Sequence, residues 1–69
     1  MLACFVVHGE ERETREVSEG WLETARATRE NVLLTDGNTY YVSNVTYVDS
    51  GPDRHARVDL EPPQFARGT

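Results

Sequence analysis

The sequence predicts a single mainly β domain, or an α+β domain if one ambiguous segment is helical, with about five strands in a small antiparallel sheet or barrel. The chain of 69 residues is long enough for only one hydrophobic core. Its apolar residues fall in short runs or in strict alternation, separated by residues that favour turns, which is typical of strands. We expect the domain to span residues 1–61 and residues 62–69 to form a flexible C-terminal tail.

The first two strands are predicted as a hairpin. Residues 2–8 are apolar on both alternating faces, which is typical of a central strand covered on both sides. Gly9 then permits a short turn. Residues 10–16 carry charges on both faces, so this segment can return only as an edge strand, where charges discourage unwanted pairing with another chain.

Residues 19–30 are the ambiguous segment. In a helix, Trp21, Leu22 and Ala25 fall on one stripe, while acids lie near the start and arginines near the end, as the helix dipole favours. Gly20 and two threonines weaken this interpretation, and alternating alanines would also fit an extended strand. We favour one short helix and keep the strand as the alternative.

A second hairpin is predicted in the middle of the chain. Residues 32–35 and 39–42 are apolar or β-prone, and they flank the turn-forming residues 36–38. The pattern resembles the central hairpin of many SH3-like barrels, and this resemblance implies a small barrel without naming a family. The apolar phase then shifts across Ser43 and Asn44, which indicates a bulge, a kink or a break.

The last predicted strand covers residues 55–61. Ala56, Val58 and Leu60 alternate with polar residues, as expected for a half-buried antiparallel strand. Turn formers are dense in residues 49–53 before it.

Charge and hydropathy exclude several classes of protein. The net charge is −5, and residues 1–53 contain ten of the twelve acids but only four of the seven arginines, which disfavours non-specific contact with nucleic-acid phosphates. The longest apolar run has six residues, too few for a membrane span. Without a leader pattern at the start, the sequence predicts a cytoplasmic protein with no membrane partner.

Catalytic and metal-binding signals are weak. The soft metal ligands are Cys4, His8 and His55, and their spacing matches no known zinc or protease motif. No base is marked as the partner of a nucleophile. We therefore expect no metal, no cofactor and no enzymatic activity, with Cys4 as a buried structural residue.

The aromatic residues carry the predicted binding site. Adjacent residues of a strand point to opposite faces, so either Tyr40 or Tyr41 should be exposed. Tyrosine and arginine are enriched where proteins bind partners. The predicted binding residues are Tyr41, Tyr47, Arg54 and Arg57. The alternative is that the aromatic side chains fill the core.

Three functions remain open from the sequence. The first is a small non-enzymatic protein-interaction or regulatory module that binds a protein partner through a strand edge or the tyrosines and arginines, and that also forms a homodimer. The second is a single-stranded nucleic-acid binder that uses Tyr40 or Tyr41 together with Tyr47, Arg54 and Arg57. The third is an acidic mimic of nucleic acid that uses residues 10–23 against a basic protein.

Overall fold

A computed structural model describes residues 1–50 and 53–62 of the chain. Five strands and one helix confirm the mainly β class with one short helix. They are β1 (Leu2–Val7), β2 (Glu10–Glu16), α1 (Glu19–Thr28), β3 (Asn31–Leu33), β4 (Thr39–Ser50) and β5 (Asp53–Glu61). The predicted tail from residue 63 onward, and residues 51–52 of the predicted turn, lie outside the described residues.

The strands form one mixed sheet in the order β2-β1-β5-β4-β3, curled into a half-barrel. The prediction of a wholly antiparallel sheet was wrong for one pair, because β1 and β5 run parallel, with Leu2 opposite His55 and Val7 opposite Leu60. The spacing of apolar residues along each strand predicted the buried face of both strands correctly, since Phe5 lies opposite Val58 and both are buried. Alternation carries no information about the direction in which two distant strands pair.

The first hairpin forms as predicted, with β1 inside the sheet and the charged β2 at its edge. Its turn places His8 and Gly9 at φ values of 54° and 77°, the left-handed conformation that tight hairpin turns require. Coverage of β1 is less complete than predicted. Leu2 is 50% exposed, and Cys4 is half-buried rather than buried.

The ambiguous segment is a helix. The Ser18 side chain accepts a hydrogen bond from the Trp21 backbone N–H at 3.0 Å, which is an N-cap. Arg29 follows α1 in the left-handed conformation with φ of 54°, and this ends the helix. Leu22 and Ala25 are the buried residues of α1, as the predicted stripe requires.

The predicted second hairpin and the predicted shift in the apolar pattern at Ser43 and Asn44 are both present. Val32 lies opposite Tyr40 across β3 and β4, and the turn between the strands places Gly37 at φ of 87°. The register of β4 against β5 shifts between Val42 and Asn44, which confirms the predicted irregularity. Because of this extra residue, Val45 stays on the buried side of the sheet.

The core lies between the concave face of the sheet and α1. We call this concave side the inner face. Fully buried residues from three strands and the helix meet there, namely Phe5, Val7, Leu22, Val42 and Val58. In residues 1–50 and 53–62, no helix has the length and apolar character needed to cross a membrane.

Candidate binding surfaces

The opposite, convex side of the sheet is the outer face. Among the described residues, the helix packs only against the inner face, where Trp21 meets Phe5 edge to face with ring centroids 6.3 Å apart. Strand register and burial assign the following central residues to the outer face: Leu2, Cys4, Val6, His55, Arg57, Asp59, Glu61, Tyr41, Thr46 and Val48.

Two of the four predicted binding residues, Tyr41 and Arg57, lie on the outer face. The Tyr41 hydroxyl donates to the Glu61 carboxylate at 3.2 Å, and the Arg57 guanidinium donates to Asp59 at 3.0 Å. Glu61 lies opposite Tyr41 in the sheet, so four residues of β5, or about 13 Å, separate Tyr41 from Arg57. They share a face but do not touch.

The other two, Tyr47 and Arg54, hold the helix against the sheet. The Tyr47 hydroxyl donates to the Glu23 carboxylate at 2.5 Å, and Arg54 donates to Glu19 at 2.9 Å. The hydrogen bond to Glu23 is the main cause that raises the pKa of Tyr47 above its ordinary value. The four predicted residues therefore do not form one continuous patch.

The outer face combines exposed apolar side chains with negative charge. Among the described residues, Leu2 and Leu33 are the exposed large hydrophobics, at 50% and 61%, and both belong to this face. Leu33 is a diagonal neighbour of Tyr41 across β3 and β4. Among the side chains that the structure describes, register places four acids and one arginine on the face, namely Glu11, Glu16, Asp59 and Glu61 against Arg57.

Side chains bridge the open side of the half-barrel, where the edges of β2 and β3 face each other. We call this region the seam. The Glu13 carboxylate accepts hydrogen bonds from the Thr35 backbone N–H and hydroxyl, both at 2.9 Å. Arg15 donates to the Leu33 carbonyl at 2.5 Å, and Arg12 forms an ion pair with Asp36 at 3.3 Å.

Hydrogen bonds at the seam stabilise its carboxylates. The bond from the Thr35 backbone N–H is the main cause that lowers the pKa of Glu13, with Arg15 contributing. The Asn38 backbone N–H similarly lowers the pKa of Asp36. The sequence identified β2 only as a charged edge, because which of its charges reach β3 depends on how the sheet curls.

A cleft of about 360 Å³ opens beside the seam, close to the start of α1. The Arg15 guanidinium lies over the Phe5 ring, 5.4 Å from its centroid, in a cation–π arrangement. The cleft is lined by Phe5, Arg15, Glu16, Val17, Ser18 and Trp21. Its size suits one large apolar side chain or a small ligand.

Two reactive side chains, Cys4 and His8, lie on β1 and in the turn that follows it. Burial and the nearby Glu11 raise the pKa of the Cys4 thiol above 9.0, so the nucleophilic thiolate is disfavoured. His8 is exposed in the turn after β1. Within residues 1–50 and 53–62, no three histidine, cysteine, aspartate or glutamate side chains lie together as a metal site would need.

Most arginines are already neutralised within the domain. Five of the six in the described part of the chain form salt bridges with carboxylates, and Arg29 is the exception. Phosphate contacts would have to compete with these pairs.

Comparisons of the chain with protein-family models, curated proteins and solved structures find no match. Its function must therefore be inferred from the surfaces themselves.

Proposed function

We propose that the chain is a small non-enzymatic protein-interaction module whose outer face binds a protein partner. The observation that supports this proposal is the exposure of Leu2 and Leu33, with the half-buried Tyr41, on a sheet face that no described element covers. Exposed apolar side chains on an uncovered sheet face favour contact with another protein. We place this activity in the cytoplasm, as the sequence predicts.

Charge defines the chemistry of the partner. Acids outnumber arginines on the outer face, and Arg57 is paired with Asp59. A partner that presents lysine or arginine together with apolar side chains would be attracted to this surface. A second copy would bring like charges together, so the homodimer predicted from the sequence is expected to use another surface. Sedimentation equilibrium measures whether it forms.

The two alternative functions have less support. A single-stranded nucleic-acid binder would use Tyr47 and Arg54, but both already contact acids of α1. An acidic mimic would present the carboxylates of residues 10–23, but Glu13 is occupied at the seam. Titration with a single-stranded oligonucleotide at increasing salt tests the first alternative, since binding through phosphate contacts weakens steeply with salt.

Capture from host lysate with matched variants tests the proposal. Leu2→Glu and Tyr41→Ala alter the outer face, while Ala27→Glu adds the same charge as Leu2→Glu on an exposed position of α1. We expect one partner to bind the unchanged protein and Ala27→Glu, and to bind each outer-face variant about tenfold more weakly. Circular dichroism confirms that each variant is folded.

Two results would contradict the proposal. One is a partner that binds all three variants as tightly as the unchanged protein. The other is the absence of any protein that binds the folded domain in stoichiometric amount.

A further inference from the structure

β4 extends beyond the short strand that flanks it. It runs from Thr39 to Ser50, but β3 pairs only with Thr39, Tyr40 and Tyr41. Along residues 44–49, β4 has β5 on one side, and no strand among the described residues pairs with its other side. We call this unpaired side of residues 44–49 the free edge.

The sheet register determines which backbone groups the free edge presents. Val42 donates its backbone N–H to the residue before β3, so the neighbouring Tyr41 faces β5. Its partner Glu61 and Arg57, an even number of residues earlier on β5, both face β4, so Thr46 opposite Arg57 also faces β5. The backbone N–H and C=O groups that point away from β5 belong to Val45, Tyr47 and Asp49.

These backbone groups have no hydrogen-bond partner in the part of the chain that the structure describes. Asn44, Thr46 and Asp49 are exposed, and α1 packs on the inner face rather than beside this edge. At the seam, by contrast, side chains of β2 already bond the edge of β3. The free edge is therefore the place where a further strand can join the sheet.

The free edge also lacks the features that usually keep strand edges apart. Natural edge strands often carry charges or proline, and six of the seven residues of β2 are charged. Within residues 44–49 the one charged residue is Asp49. The others include Val45, Thr46, Tyr47 and Val48, which are of the types that favour strands.

We propose that the free edge binds a second copy of this chain, so that two β4 strands pair antiparallel and two five-stranded sheets become one. An antiparallel pair of identical strands is its own complement under a twofold axis. With the axis at Tyr47, the two Tyr47 backbones pair, and Val45 pairs with Asp49 of the second copy. The three outward residues thus exchange about six backbone hydrogen bonds.

Side chains and charge agree with this arrangement. On the outer face, Thr46 comes opposite Val48 of the second copy, which is a pair of β-branched residues. The two Asp49 residues are four positions apart, about 13 Å, which exceeds the screening length of about 10 Å at 0.1 M salt. On the inner face, Val45 and Tyr47 come next to apolar residues of the second copy, which a segment of unrelated sequence does not supply.

A dimer of this kind leaves the outer face available. The twofold axis is perpendicular to the sheet, so both outer faces lie on the same side of the dimer. Dimerisation at the free edge does not require the outer-face partner, so the two surfaces can be tested separately.

Amide hydrogen exchange tests the free edge residue by residue in the unchanged protein. Sedimentation equilibrium gives the dissociation constant, and exchange is followed about tenfold below it and about a hundredfold above it. We expect the N–H groups of Val45, Tyr47 and Asp49 to exchange about tenfold more slowly in the dimer. The N–H groups of Thr46 and Val48, which point to β5, are the internal control and should be equally protected in both samples.

Thr46→Lys is the variant test, with Ala27→Lys as its matched control. Lysine at position 46 brings two positive charges within about 8 Å of each other across the axis. Ala27 is exposed on α1, so Ala27→Lys makes the same change in net charge away from the edge. We expect Thr46→Lys to weaken the dimer about tenfold and Ala27→Lys to change it by less than about twofold. Circular dichroism confirms that both variants are folded.

Three outcomes would overturn this proposal. The protein could remain monomeric up to about 1 mM, a dimer could form without slower exchange at Val45, Tyr47 and Asp49, or the two lysine variants could affect the dimer equally. None of these results would bear on the outer face, because no partner is present in the experiments.

Discussion

Glu13 connects the two edges of the half-barrel, since its carboxylate accepts from Thr35 and pairs with Arg15. These contacts lower its pKa below the ordinary value of 4.5. A carboxylate whose pKa is lower in the folded state stabilises the fold at pH values above its unfolded pKa. That contribution is lost as the pH falls from about 4.5 through the lower folded value.

We therefore expect Glu13→Gln to lower the thermal unfolding temperature at pH 7 and to reduce its pH dependence below about pH 5. Glu10→Gln is the control, because Glu10 also lies on β2 and pairs with an arginine but has a 75% exposed side chain. Thermal unfolding followed by circular dichroism between about pH 3 and pH 7 measures both variants. Identical profiles for the two variants would show that Glu13 does not stabilise the seam.

The sequence predicted which residues could form the candidate site better than it predicted how those residues are arranged. Tyr41 and Arg57 lie on one sheet face, as a shared site requires. Tyr47 and Arg54 instead contact Glu23 and Glu19 of the helix. No sequence pattern links these pairs, because each joins residues that only the docking of α1 brings together.

Among the elements, α1 depends on its N-cap. The Ser18 hydroxyl satisfies the Trp21 backbone N–H at the start of a ten-residue helix. We expect Ser18→Ala to lower the free energy of unfolding by about 1 kcal/mol. Ser18→Asp keeps a hydrogen-bond acceptor at the N-cap, so it should lower the free energy of unfolding much less. Urea unfolding measures both variants. Equal losses would show that the cap does not stabilise α1.

Local sequence signals predicted most of the elements. Asp36, Gly37 and Asn38 indicated the second hairpin, and the phase shift at Ser43 and Asn44 indicated the bulge. The parallel pairing of β1 with β5 could not be predicted in this way. More than fifty residues separate Leu2 from His55, and alternation along each strand is compatible with either direction.

For the molecule as a whole, one core supports the outer face. Phe5 is 1% exposed, packs against Trp21 and lies under Arg15. Replacing a buried phenylalanine by alanine costs about 3–5 kcal/mol, while a domain of this length has about 3–10 kcal/mol in total. We expect Phe5→Ala to abolish or nearly abolish cooperative thermal unfolding.

Tyr41→Ala is the comparison for this prediction, because Tyr41 lies on the outer face and is half-buried. It should unfold cooperatively within a few degrees of the unchanged protein. A cooperative transition of unchanged midpoint for Phe5→Ala would contradict the single-core description.

The most direct test of the central proposal is to map where a captured partner touches the labelled domain. Amide and methyl resonances are compared with and without the purified partner. We predict the largest shifts at Leu2, Tyr41 and Val48 of the outer face, with the exposed surface of α1 unchanged. Shifts confined to α1, or none at saturating partner, would contradict the proposal that the outer face is the binding surface.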